Sequence, residues 1–124
     1  MEDELYRENI LDHYKHPRNA GRLEDATLSA RELNPTCGDS IDLTLKLDAC
    51  DRVEDVKFEG RGCAVSMASV SLLTERIKGR PLAEVMALGE RDILALLGIE
   101  VGPMRMKCAM LSLRTLKTAL DSKD

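Results

Sequence analysis

Apolar and polar positions along this 124-residue chain fall into runs of different period. Tyr6, Ile10 and Tyr14 recur every four residues, the spacing of one helical face, and predict an amphipathic helix from about Leu5 to Lys15 closed by His16-Pro17. Asn19-Ala20-Gly21 reads as a turn, and Thr27 to Leu33 as a strand of imperfect alternation. Ile41, Leu43, Leu45 and Leu47 alternate with Ser40, Asp42, Thr44, Lys46 and Asp48. That period of two gives a half-buried strand whose polar side should face water. Ala49 to Arg52 turns the chain, and Val53 to Glu59 returns antiparallel with Val56 and Phe58 on one face. Gly60-Arg61-Gly62 then breaks the strand.

Helical patterns fill the rest. Cys63 to Lys78 carries small Ser and Ala residues that permit close packing, and Gly79 marks its exit. Pro81 suits the first position of a short helix running to Leu88, and Ile93 to Leu97 forms another that ends at Gly98. Gly102-Pro103 precedes a last helix from about Met104 to Leu120, with Ala109, Leu113, Leu116 and Leu120 as its core stripe. Strands come first and helices after, without regular alternation. The expected class is therefore α+β: a small antiparallel sheet of up to three strands in meander order, with helices on one face. No repeat, linker or low-complexity tract divides residues 1–124, so a single domain is expected.

A chain of this length buries about two-thirds of its unfolded surface, so neither disulfides nor a metal is required for folding on size grounds. Apolar runs fall short of the ~20 residues that a bilayer demands, so no membrane partner is expected. The start Met1-Glu2-Asp3-Glu4 is acidic where a targeting sequence would be basic, which makes the cytoplasm the expected compartment. Eighteen Lys+Arg against 22 Asp+Glu give a net charge of −4 with no basic run. That excludes the usual electrostatics of nucleic-acid binding and suits a basic protein surface instead. Aromatic residues make up only 2% of the chain, so the core must be aliphatic and no platform exists for stacking bases.

Four cysteines, Cys37, Cys50, Cys63 and Cys108, change the picture. In a cytosolic chain with an adequate core they point to metal or sulfur chemistry before disulfides. No CxxC pair is present, so a metal site would have to be assembled from elements distant in sequence. Cys37 lies in a loop where Pro35 fixes one torsion and Gly38 permits a left-handed one, with Asp39 two residues on. The segment reads equally as a ligand loop or as an Asx-type turn with an incidental thiol. Cys63 precedes a helix, near exposed N–H groups and the positive end of the dipole, a setting that favours anionic sulfur. Taken alone, it also fits a buried structural cysteine. Cys108 follows Arg105-Met106-Lys107 and lies about 100° around its helix from Ala109, off the core stripe. A protonated Lys107 is no ligand but can stabilise nearby anionic sulfur electrostatically. Cys50 falls in the hairpin turn and reads as incidental, His13 and His16 read as surface residues, and the serines lack any nucleophile elbow. Three thiolates and one carboxylate, Cys37, Cys63, Cys108 and Asp39, form a coherent set. They could close a tetrahedron around zinc or hold a two-iron cluster with one weaker oxygen ligand, which suits transfer more than permanence.

At these residues the chain resembles the IscU/SufU family of iron-sulfur cluster assembly scaffolds, which includes the N-terminal domain of NifU. Asp12-His13-Tyr14 with Pro17-Arg18-Asn19 and Gly21 is similar to the family's N-terminal signature. Asn34-Pro35-Thr36-Cys37-Gly38-Asp39, Gly60-Arg61-Gly62-Cys63-Ala64 with Ser66, Ala68, Ser69 and Ser71, and Lys107-Cys108-Ala109 resemble its three cysteine motifs. The resemblance implies an IscU/SufE-like fold in which a three-stranded antiparallel sheet packs with helices and Cys37, Asp39, Cys63 and Cys108 converge at one end. It implies sulfur received from a cysteine desulfurase, with Cys37, Cys63 and Cys108 as persulfide acceptors. It further implies a transient [2Fe-2S] cluster passed to apo-proteins, zinc at the same ligands in the resting form, and a monomer or homodimer. Lys107 stands where the IscU branch has a histidine, an arrangement more like SufU. The 44 residues between Cys63 and Cys108 nevertheless leave no room for the extra segment usual there in SufU proteins. Val101-Gly102-Pro103-Met104-Arg105 matches only in part the motif by which IscU engages an Hsp70-type chaperone. Two functions follow as expectations. The first is a scaffold without turnover of its own; the alternative is a SufU-type zinc-dependent sulfurtransferase that activates the desulfurase.

Overall fold

A computed structural model describes residues 2–35 and 38–122, with side chains from Arg7 onward. Its elements are α1 (Glu2–Lys15), β1 (Leu28–Asn34), β2 (Asp39–Leu47), β3 (Val53–Arg61), α2 (Ala64–Ile77), α3 (Leu82–Met86), α4 (Glu90–Leu97) and α5 (Pro103–Asp121). The three strands form one antiparallel sheet in the order β1-β2-β3, the meander expected from the alternation. Ile41, Leu43 and Leu45 point inward with no exposed surface, and α2 and α5 lie across that face. Ala109, Leu113, Leu116 and Leu120 are buried as the core stripe of α5. Among the described residues, no helix is long and apolar enough to cross a membrane.

Two sequence expectations change. Gly60 and Arg61 do not break the third strand; they pair with Ile41 and Ser40, and β3 ends only at Arg61. Glycine's poor strand propensity yields here to the ladder hydrogen bonds on offer from β2, because tertiary context outweighs local preference in sheets. The polar side of β2 is also not simply solvated. The strap from Asn19 to Thr27 crosses it from the outer edge of β3, where Phe58 N–H donates to Asn19 C=O (2.9 Å), to the start of β1. Leu23 N–H donates to Thr44 Oγ1 (3.1 Å), and Arg22 and Asp25 pair with Asp42 (3.0 Å) and Lys46 (2.8 Å). Thr44 is left 2% exposed, its hydroxyl satisfied by Leu23 and by Lys57 C=O.

His13 is a third correction, since it is buried between α1 and α2 and not at the surface, whereas His16 is exposed. Its Nδ1 lies 2.7 Å from Ser71 Oγ, which also accepts the Arg18 N–H at 2.9 Å, and its Nε2 lies 3.5 Å from Glu75 Oε1. A neutral ring with its proton on Nε2 satisfies the network. Arg18 N–H donates to Ser71, Ser71 O–H donates to Nδ1, and Nε2–H faces Glu75. Protonating Nδ1 would set a second proton against the Ser71 hydroxyl proton. Burial, with Arg18 adding to it, holds the His13 pKa below its ordinary 6.5, while Glu75 and Asp12 oppose the shift. A basic group whose pKa falls on folding is protonated first in the unfolded chain. Its contribution to stability is therefore complete above the unfolded value of 6.5 and declines as pH falls below it. We expect a lower urea midpoint at pH 5.5 than at pH 7.5, and a smaller difference in His13→Asn. An equal difference in both chains would remove His13 as the cause.

Candidate metal centre

Three elements meet at one end of the sheet. Asp39 opens β2, Cys63 caps the N-terminus of α2 just after β3 ends, and Cys108 lies in the second turn of α5. The Ser40–Arg61 pair sets Asp39 beside Gly62-Cys63, and packing of α5 on α2 and β2 brings Cys108 to the same point. One ligand atom from each of Asp39, Cys63 and Cys108 lies within 4.8 Å of the others. Cys63 Sγ is 3.8 Å from Asp39 Oδ2 and 3.7 Å from Ser66 Oγ, and the Ser66 hydroxyl donates to Cys63 C=O at 3.1 Å. Asp39 is 3% exposed and Cys108 4%, with Cys63 half-buried between them.

The donor set suits a thiophilic metal. Zinc bonds of about 2.3 Å to sulfur and about 2.1 Å to oxygen place tetrahedral ligand atoms roughly 3.6–3.8 Å apart, close to the Cys63–Asp39 separation. A cation held by two cysteine sulfurs and a carboxylate would offset the cost of taking these groups out of water. The site opens into a hollow of about 630 Å³ whose walls include Arg61, Met104 and Arg105. Met104 is 88% exposed at its rim. The guanidinium groups add positive charge to the walls of the hollow.

The predicted residues distribute as follows. Asp39, Cys63 and Cys108 come together; Cys37 lies outside the described residues. Beside it, Gly38 takes the left-handed conformation (φ +73°), and its N–H donates to Asn34 C=O at 2.8 Å. Lys107 is exposed on α5, while Arg61 and Arg105 line the hollow. Arg61 could have been found from strand register, being opposite the residue that follows Asp39. Ser66 was signalled in sequence only as one of the residues by which the Cys63 segment resembles the family's second cysteine motif, one turn after Cys63. Cys50 is exposed in the β2–β3 turn, and a nine-residue strand at about 3.3 Å per residue puts it roughly 30 Å from the centre. Ser69 and Ser71 spend their hydroxyls on neighbouring helices and serve no nucleophilic role.

The chain is similar to known proteins along most of its length. The zinc-dependent sulfurtransferase SufU of Bacillus subtilis is 42% identical over 139 aligned residues, covering 98% of this chain and 93% of the relative. The iron-sulfur cluster assembly scaffold protein IscU of Aquifex aeolicus is 40% identical over 116 residues, covering 93% of this chain and 73% of the relative. The crystal structure of a protein described as an iron-sulfur cluster assembly scaffold for the SUF system of Fervidobacterium islandicum superposes with a TM-score of 0.79. It shares 32% identity over 91% of this chain and 94% of that one. The NifU-like N terminal domain family matches residues 5–122, and the chain belongs to that family.

Proposed function

We propose that this chain is an iron-sulfur cluster assembly scaffold. It accepts the outer persulfide sulfur from a cysteine desulfurase. Ferrous iron and an external thiol or electron-carrier reductant together reduce that sulfur, by two electrons per atom, to the sulfide of a labile [2Fe-2S] cluster held by Cys37, Asp39, Cys63 and Cys108, and the chain passes the cluster to apo-proteins. The observation that carries the reading is the approach of Asp39, Cys63 and Cys108 from three separate elements to within 4.8 Å of one another. Thiolates are the nucleophiles that take the outer sulfur of a persulfide and the ligands that hold iron. A carboxylate oxygen is the weaker corner for such iron, so Asp39 is the ligand that lets go. Arg61 and Arg105, with Lys107 further out, favour anionic sulfur as it arrives. Zinc at the same residues fits the resting protein, where it would order the ligands without redox chemistry.

The Bacillus subtilis relative, a zinc-dependent sulfurtransferase by name, sets the second reading. That alignment runs over 139 positions yet takes in 98% of a 124-residue chain, so some of its positions face no residue here. The Aquifex aeolicus scaffold aligns over 116 residues with 93% of the chain and needs almost no such gap. The IscU scaffold of Streptococcus pyogenes, however, aligns over 135 with 94% and needs one as long, so the gap does not separate the two readings. The weak carboxylate corner at Asp39, suited to a cluster that is passed on, supports the scaffold. Anaerobic reconstitution with ferrous iron, cysteine and a cysteine desulfurase tests it. We expect the visible absorption of a [2Fe-2S] centre, which then moves to an added apo-ferredoxin. Stoichiometric zinc retained throughout, no iron chromophore and a faster desulfurase would overturn the scaffold in favour of the sulfurtransferase.

A further inference from the structure

We propose that Ser69 and Ser112 are positioning residues for the metal centre. Their hydroxyls form a buried chain across the α2–α5 interface that fixes where α5 sits along α2, and so the spacing of Cys63 and Cys108. The inference rests on the reading of those cysteines as ligands.

Ser69 is 1% exposed and Ser112 0%. Ser69 Oγ–H donates to Ala109 C=O at 2.8 Å, and the two serine oxygens lie 2.7 Å apart. The direct approach of Ser112 Oγ to Ala109 C=O is 3.5 Å, at the limit of a hydrogen bond. Because Ser69 has one proton and gives it to Ala109, Ser112 donates to Ser69. The chain then runs Ser112 to Ser69 to Ala109, and both hydroxyl protons are used. Its members sit on the two helices that carry the thiols. Ala109 follows Cys108 directly, and Ser69 lies six residues after Cys63, about 9 Å along the axis at 1.5 Å per residue.

Two tolerances explain why the chain matters at the metal. The apolar core to which α2 and α5 contribute, with Ala68 and Leu116 among its members, sets helix register only through the fit of side chains, whereas directional bonds respond sharply to a shift of about 1 Å. A hydrogen bond of 2.7 or 2.8 Å lengthened by that amount is lost, and metal-ligand distances tolerate only about 0.2 Å. Buried hydroxyls that satisfy one another add little net stability compared with apolar groups of the same shape. Their effect therefore falls on register at the sulfur atoms.

Cobalt(II) titration of the full chain, followed by sulfur-to-cobalt charge-transfer and ligand-field absorption, tests this beside thermal melting of the metal-free protein. For Ser69→Ala/Ser112→Ala we expect melting within a few degrees of wild type, cobalt bound about 10-fold more weakly, and displaced ligand-field bands. Ser112→Ala alone, which leaves Ser69 donating to Ala109, should fall between wild type and the double variant. Unchanged affinity and bands in both alanine variants would overturn the inference. If the double variant does not fold, unchanged bands in Ser112→Ala overturn it by themselves. A wild-type chain that shows no sulfur-to-cobalt band would overturn the reading of the centre and this inference together, whereas wild-type binding with insensitive variants overturns this inference alone.

Discussion

Gly62→Ala lowers the affinity of the centre for zinc by at least about 10-fold while leaving the protein folded. A Cβ at position 62 would lie 2.6 Å from Ser66 Oγ and 2.7 Å from both Cγ and Oδ1 of Asp39. No carbon tolerates such distances, so something must move. The atoms in the way belong to two side chains and not to backbone, so the strands need not part, and the backbone of Gly62 needs no conformation forbidden to alanine. The new methyl group therefore displaces the carboxylate that approaches Cys63 Sγ at 3.8 Å and the hydroxyl at 3.7 Å. Loss of groups that ligate or orient ligands costs 10- to 100-fold in metal affinity. A competition titration against a chromophoric chelator measures it, with the urea midpoint of the metal-free variant as the control for folding. An affinity equal to wild type would mean that Asp39 contributes nothing to binding.

That glycine also shows what the sequence made legible and what it did not. The strict alternation from Ile41 to Leu47 fixes which face of β2 is buried, and the spacing of Ala109, Leu113, Leu116 and Leu120 orients α5. Both are short-range patterns with a single physical reading. The membership of Asp39, Cys63 and Cys108 in one set was legible from residue chemistry and from family resemblance, and their convergence rests on the Ser40–Arg61 register and on α5 packing. His13 was misread because burial of a polar ring depends on Ser71 and Glu75, some 60 residues away, which local pattern cannot pair with it. The strap over β2 was hidden for the same reason. Residues 19–27 carry no periodicity of their own, and what places them is the set of partners Phe58, Asp42, Thr44 and Lys46.

Gly60→Ala has the larger effect on stability, because the obstruction there is backbone. A Cβ at position 60 would stand 2.3 Å from Ser40 O, 3.2 Å from Ile41 Cα and 3.3 Å from Ser40 C. No side chain can rotate to make room, so β2 and β3 must part where Gly60 faces Ile41, a residue with no exposed surface. Overpacking of this kind costs about 1–3 kcal/mol, which for a domain of this size lowers Tm by roughly 3–15 °C. The two glycines thus separate what the sheet end does from what the ligands do. In metal-free protein Gly60→Ala should lower the urea midpoint clearly and Gly62→Ala only slightly. Added zinc, which stabilises the folded state in proportion to the logarithm of its concentration over Kd, should raise the midpoint of wild type far more than that of Gly62→Ala. A metal-free Gly60→Ala chain as stable as wild type would show that the strands at the site end absorb a Cβ without separating. The close Ser40–Arg61 register would then not be what holds Asp39 against Cys63.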